Sequence, residues 1–249
     1  MENNQLLQYL NQKFVESFSA NRIPAWKCPH CNKGIIELKA NGLSYQETPK
    51  SQALRSDDNW EPHWLEYIFS ATFFCKNCGG EIYACGKGKH TSWHSANPDE
   101  DGFEEISFTP KYFEPAIKLI EIPAACPPHI SQALEAAFAI AWSDFSSGGN
   151  KLRIALEKLV IEFNPAASKI KNLHKKLETL KTSYPDLYEL FMSIKWIGND
   201  GSHDDSLREC DLAFGFQAMQ EALRKFYDAD KKKISNLAKI VNTLRGRPK

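Results

Sequence analysis

The sequence predicts an α+β chain, mainly α: a small strand-bearing module followed by a bundle of helices. Three observations predict it. Two Cys-x-x-Cys pairs, "CPHC" (residues 28–31) and "CKNC" (residues 75–78), each lead into a short segment of alternating character. Apolar residues recur at three- and four-residue intervals from residue 129 onward. A proline-broken stretch separates these two regimes.

The chain opens with "LLQYLNQKFVESF", which places Leu6, Leu7, Leu10, Phe14, Val15 and Phe18 at helical spacing. An amphipathic helix is expected over residues 1–22, packed on the body or against another chain. Residues 23–110 read as a knuckled module. Two residues between cysteines let both thiolates point at one ion from a tight turn, and two such turns supply the tetrahedral four-sulfur shell that structural zinc prefers. Cys28, Cys31, Cys75 and Cys78 are therefore the expected metal ligands. "GIIELKA" and "GEIYACG" follow the pairs as strands leaving each knuckle, the layout of a zinc ribbon. The 43 residues between the pairs exceed what a compact ribbon needs, so their polar stretch and aromatic-rich strand are expected to form an inserted loop. A redox dithiol is the rival reading, but it lacks the alternating strand–helix pattern of such proteins. Cys85, His30, His90 and His94 are spare ligand types beside a shell that four cysteines already close. A closed shell serves the fold rather than chemistry.

Residues 111–128 read as a linker, with "ISFTPKYFEPAIKLIEIP" extended and Pro127 and Pro128 placed where a helix begins. Residues 129–230 then carry helical periods: Leu134, Phe138 and Trp142; Leu152, Leu156 and Leu159; Leu173, Leu177 and Leu180; Leu212, Phe216, Met219 and Leu223. Ser183 with Asp186, and Ser206 with Glu209, have capping-box spacing. Gly198 falls where a helix would end, and Asn199, Asp200, Gly201 and Ser202 are turn formers. Arg153 and Glu157, one turn apart, are expected to pair. Cys126 and Cys210 lack partners at metal spacing and read as core thiols.

Net charge is zero but uneven. Residues 231–249 hold seven bases and no acid, making Lys231, Lys232, Lys233, Arg245 and Arg247 candidate phosphate contacts on a basic helix or tail; on charge alone a solvated tail or helix end is the readier explanation. No run approaches a membrane span, and "MENNQLLQYLNQKF" carries acid and amide before its apolar positions and lacks a signal-peptide core, so a cytoplasmic protein without a membrane partner is expected.

The runs "CPPHISQALEAAFAIAWS", "KLRIALEKLV", "LHKKLETLKTSYPDLYELFMSIKWIGNDGSHDD" and "AFGFQAMQEALRKFYD" resemble a helical family of domains of unknown function in the HEPN (higher eukaryotes and prokaryotes nucleotide-binding) superfamily. The resemblance covers roughly residues 124–230. Members occur alone, behind zinc ribbons, or fused to restriction and phage-defence proteins. Many are dimeric, metal-independent ribonucleases whose arginine steadies phosphate charge while a histidine moves protons. The resemblance maps His203 onto that histidine and Asn199 onto the polar residue between, but puts Gly198 where the arginine stands. Lys195 is the nearest replacement cation, with Arg153 and Arg208 farther away in sequence; lysine is a point charge and not a bidentate fork. What this implies is an HEPN-like, homodimeric protein of bacterial antiviral defence or stress response. It would engage nucleic acid, RNA before DNA, with weak or absent cleavage. The alternative is a non-catalytic adaptor docking onto a nuclease or NTPase of the same defence system. A purely structural helix-to-helix turn at residues 196–205 remains the plain reading of the loop.

Overall fold

The computed structural model describes residues 13–93, 103–203, 207–227 and 242–243. Four strands, β1 (Ile36–Glu47), β2 (Glu66–Cys75), β3 (Glu81–Trp93) and β4 (Phe103–Glu114), form one antiparallel sheet in the order β1-β2-β3-β4. The expected inserted loop between the cysteine pairs is not a loop throughout. Its polar part holds a short helix, α1 (Pro49–Leu54), capped by the Thr48 hydroxyl. Its aromatic part is β2, which pairs on both sides, Phe73 opposite Leu38 and Ile82. Alternation explains the placement: Phe69, Ala71, Phe73 and Cys75 turn inward and are buried, while Ile68 and Ser70 face out.

Five further helices follow: α2 (Pro128–Ala141), α3 (Phe145–Phe163), α4 (Leu173–Glu178), α5 (Pro185–His203) and α6 (Glu209–Tyr227). Asp144 accepts a hydrogen bond from the Ser147 backbone N–H and starts α3. The stretch around residues 165–180 is less helical than its leucine stripe predicts, with a 3₁₀ turn at Pro165–Lys169 before the six-residue α4. Leu152, Leu156, Phe191, Ile194, Leu212 and Phe216 pack into the bundle core.

Two expectations fail here. Phe14, Val15 and Phe18 do not lie on a helix; Leu6, Leu7 and Leu10 lie outside the described residues. The segment is instead an extended strap. Phe18 exchanges two backbone hydrogen bonds with Phe108 (2.9 and 2.7 Å), and the N–H groups of Phe14 and Val15 both donate to Glu209 Oε1 at 2.7 Å. Phe14 stands edge-on to Trp142, Phe145 and Phe216. A side chain that can fill a bundle core while its neighbour completes a sheet core overrides helical spacing.

Gly198, in turn, does not end a helix. α5 runs through it to His203, and the turn formers Asn199 to Ser202 are helical. The reason is the crossing of α3 over α5. A Cβ at Gly198 would stand 2.6 Å from Arg153 Cβ and 3.0 Å from the Gly149 carbonyl oxygen. Two glycines thus let the helix backbones approach closely, and that packing outweighs weak local propensity. Gly198→Ala is expected to destabilise the protein by about 1–3 kcal/mol through overpacking, despite alanine's better helix propensity. Thermal melting of the variant checks this, and an unchanged or raised midpoint would refute the close crossing.

Candidate metal centre and a cationic helix crossing

Each knuckle is built the same way. After Cys28, Asn32 turns into the left-handed region (φ 55°) and its N–H donates to the Cys28 carbonyl at 2.9 Å. After Cys75, Gly79 does the same (φ 73°), donating to the Cys75 carbonyl at 2.8 Å. Glycine and asparagine are the residues that take this conformation most readily. The knuckles then close on each other. Cys28 Sγ lies 3.7 Å from Cys78 Sγ, Cys31 Sγ lies 3.8 Å from Cys75 Sγ, and all four sulfurs fall within 4.8 Å of one another. Gly34 makes the approach possible, since a Cβ there would meet Cys75 Sγ at 2.4 Å.

These distances fit a metal. A tetrahedral thiolate shell with metal–sulfur bonds near 2.3 Å has sulfur–sulfur edges of about 3.8 Å. The thiols differ in how readily they ionise. Burial, and then the neighbouring thiols, push Cys28 up to about 12. N–H donors from Gly34 and Lys33, with the Asn77 amide, pull Cys31 down to about 6. The four cysteines could therefore hold a metal ion. The spare ligand types do not join them. His30 Nε2 is 3.0 Å from the Glu81 carbonyl, Cys85 is exposed on β3, and His90 stands farther along that strand. His94 lies outside the described residues.

The second site-like feature is the α3–α5 crossing. Lys195, Gly198 and Asn199 share one face of α5 by their spacing. Lys195 is 8% exposed, pairs with no carboxylate among the described residues, and sets its ammonium 3.4 Å from the Trp196 ring centroid. The Trp196 ring is 53% exposed. Arg153 packs across Gly198. The expected Arg153–Glu157 pair is absent: Glu157 binds the buried Lys176 at 2.5 Å, and the Arg153 guanidinium takes the Asn150 side-chain oxygen at 3.1 Å instead. A lysine reaching from α4 satisfies Glu157 better than a guanidinium already turned along its own helix. Arg208 is spoken for by Asp211 at 2.9 Å. His203 is the last residue of α5, and its side chain lies outside the described residues, as do Lys231, Lys232, Lys233, Arg245 and Arg247. Cys126 is buried, its thiol pushed up by burial and then by the Glu162 carboxylate; Cys210 is half-buried. Trp196 and Asn150 escaped the sequence reading. The only signal was an aromatic beside Lys195.

The molecule thus joins a sheet module carrying a four-cysteine cluster that could hold a metal ion to a set of packed helices. Residues 16–113 match one family, Domain of unknown function (DUF8608), and residues 135–243 match another, Domain of unknown function (DUF4145). No curated protein and no solved structure matches the chain.

Metal affinity should rise with pH. Between about 6 and about 12 the metal-free Cys28 holds its proton while Cys31 is already a thiolate, so binding must expel at least the Cys28 proton. Competition against a chromophoric chelator from pH 6 to 9 should show affinity climbing with proton release; a flat profile would contradict it. Cys28→Ser is expected to lower metal content and destabilise the sheet module by at least about 3 kcal/mol, read by melting and elemental analysis.

Proposed function

We propose that this chain is a zinc-containing, HEPN-like protein of bacterial defence or stress response that engages RNA at the α3–α5 crossing. Zinc is the ion favoured by four thiolates at tetrahedral spacing, and a closed shell of that kind is structural. The crossing carries the RNA reading. Arg153 and Lys195 meet the Gly198 face of α5 with no carboxylate partner among the described residues, beside a half-exposed tryptophan. Two cations with no counter-charge among the described residues suit phosphate, and an exposed indole suits a stacked base.

Gly198 leaves the superfamily's arginine position empty, and the space beside it is filled by Arg153 from the neighbouring helix. Arg153 is therefore the group that would meet phosphate, with Lys195 behind it. Asn199 and His203 follow on α5 as the polar and proton-moving groups the resemblance implies. A guanidinium held by Asn150 on another helix is a displaced version of the arginine the superfamily uses, which favours binding over efficient cleavage. Homodimerisation through the bundle, a cytoplasmic setting and a contribution from the basic tail belong to the same reading.

A second reading, a non-catalytic dimeric adaptor docking onto a nuclease or NTPase, draws on the sheet. Its outer face exposes Ile68 (59%), Tyr83 (53%) and Tyr112 (45%) on three neighbouring strands, more apolar surface than a free sheet face needs.

RNA titration separates the two. Arg153→Ala and Lys195→Ala should each weaken a short single-stranded RNA roughly tenfold and lower the salt slope by about one, with metal content and melting preserved. Trp196→Ala should remove about 1–3 kcal/mol of stacking. Equal affinity in all four proteins would refute the RNA site. His203→Ala, assayed for cleavage beside stability, reports whether any hydrolysis resides there.

A further inference from the structure

A cleft of roughly 710 Å³ opens where the first knuckle, the linker after β4 and the end of α6 meet. That volume falls in the range of small-molecule sites. One wall is the largely apolar linker, residues 118–125. The charged groups come from three parts of the chain: Lys27, which precedes Cys28; Lys118 of the linker; and Arg224 in the last turn of α6. Among its described lining residues the one carboxylate is Glu121.

Glu121 spans the cleft. Its Oε1 is 2.7 Å from Lys27 Nζ and its Oε2 3.5 Å from Arg224 Nη2, and Lys27 first, then Arg224, hold its carboxyl below the usual range. Its backbone N–H donates to Gln220 Oε1 at 3.0 Å, which fixes this stretch of linker to α6. One internal carboxylate therefore already occupies two of the three cations, one from the metal module and one from the bundle. Lys118 is not bridged by Glu121 and, among the described residues, makes only a long ion pair with Glu135. Its side chain is 25% exposed, and its nearest carboxylate, Glu135 at 3.9 Å, is not part of the lining. The cleft carries more positive than negative charge, next to an apolar wall.

We propose that this cleft binds a small organic phosphate. The phosphate sits between Lys118 and Arg224, the carbon body lies along the linker, and Glu121 competes for Arg224 as a built-in anion. The site is distinct from the α3–α5 crossing and does not depend on the RNA reading.

Calorimetric titration of the metal-loaded full chain tests it, with adenosine monophosphate and glucose 6-phosphate as probes and adenosine and glucose as uncharged controls. At least one phosphate should bind and its control should not. Affinity should fall about tenfold in Lys118→Ala and in Arg224→Ala, rise severalfold in Glu121→Gln, and stay unchanged in Lys195→Ala. Lys118→Ala leaves the Lys27–Glu121–Arg224 bridge intact, and an unchanged melting midpoint for that variant separates a binding loss from a folding effect. The proposal is overturned if neither phosphate binds, if binding ignores Lys118→Ala and Arg224→Ala, or if Lys195→Ala abolishes it. A Glu121→Gln chain that binds no tighter overturns the competition.

Discussion

Four thiol sulfurs held within 4.8 Å of one another set the terms for the front of this molecule. Close thiolates repel, and a cation between them removes the repulsion and lets all four ionise. The place where this happens matters. β1 begins at Ile36, opposite Cys75, and β3 begins at Glu81, opposite Phe74, so the sulfurs cluster at the end of the sheet where three strands meet. An ion there would tie two tight turns to the registers of β1, β2 and β3 together.

The constraint reaches the helices through aromatic side chains. Trp26, two residues before Cys28, meets Phe113 and the indole of Trp142, which closes α2; Trp142 in turn meets Phe14, and Phe14 meets Phe216. Edge-to-face contacts of this kind add to apolar burial a preference for fixed angles. Beyond them, α3 and α5 lie so close at Gly149 and Gly198 that side chains must leave the crossing sideways. Glu157 turns to Lys176, and Arg153 turns along its own helix to Asn150.

Much of this was legible in the order of residues. The cysteine spacing announced the sulfur cluster, the strands after each pair were read as strands, and most helices followed their apolar periods. The Gly198 region was not, because glycine, asparagine and serine carry turn preferences that single-sequence reasoning weighs fully, whereas the favourable contact with α3 lies about fifty residues away. Asn32 hid the likeness of the two knuckles, since only the second carries glycine at that point. The spacing of Phe14 and Phe18 was helical by coincidence: one fills the bundle and the other the sheet. The place of β2 inside the sheet depended on pairing with strands on both sides, which no local pattern reports.

The grip of Glu209 on the backbone of Phe14 and Val15 joins positions 195 and 194 residues apart. On the ribosome the first of these segments emerges long before its partner exists. The segment around Phe14 and Val15 must therefore wait for this bond until translation has passed Glu209 at the start of α6. Phe14 meets Trp142, Phe145 and Phe216 at the same seam, so it closes only after both of its sides have been made.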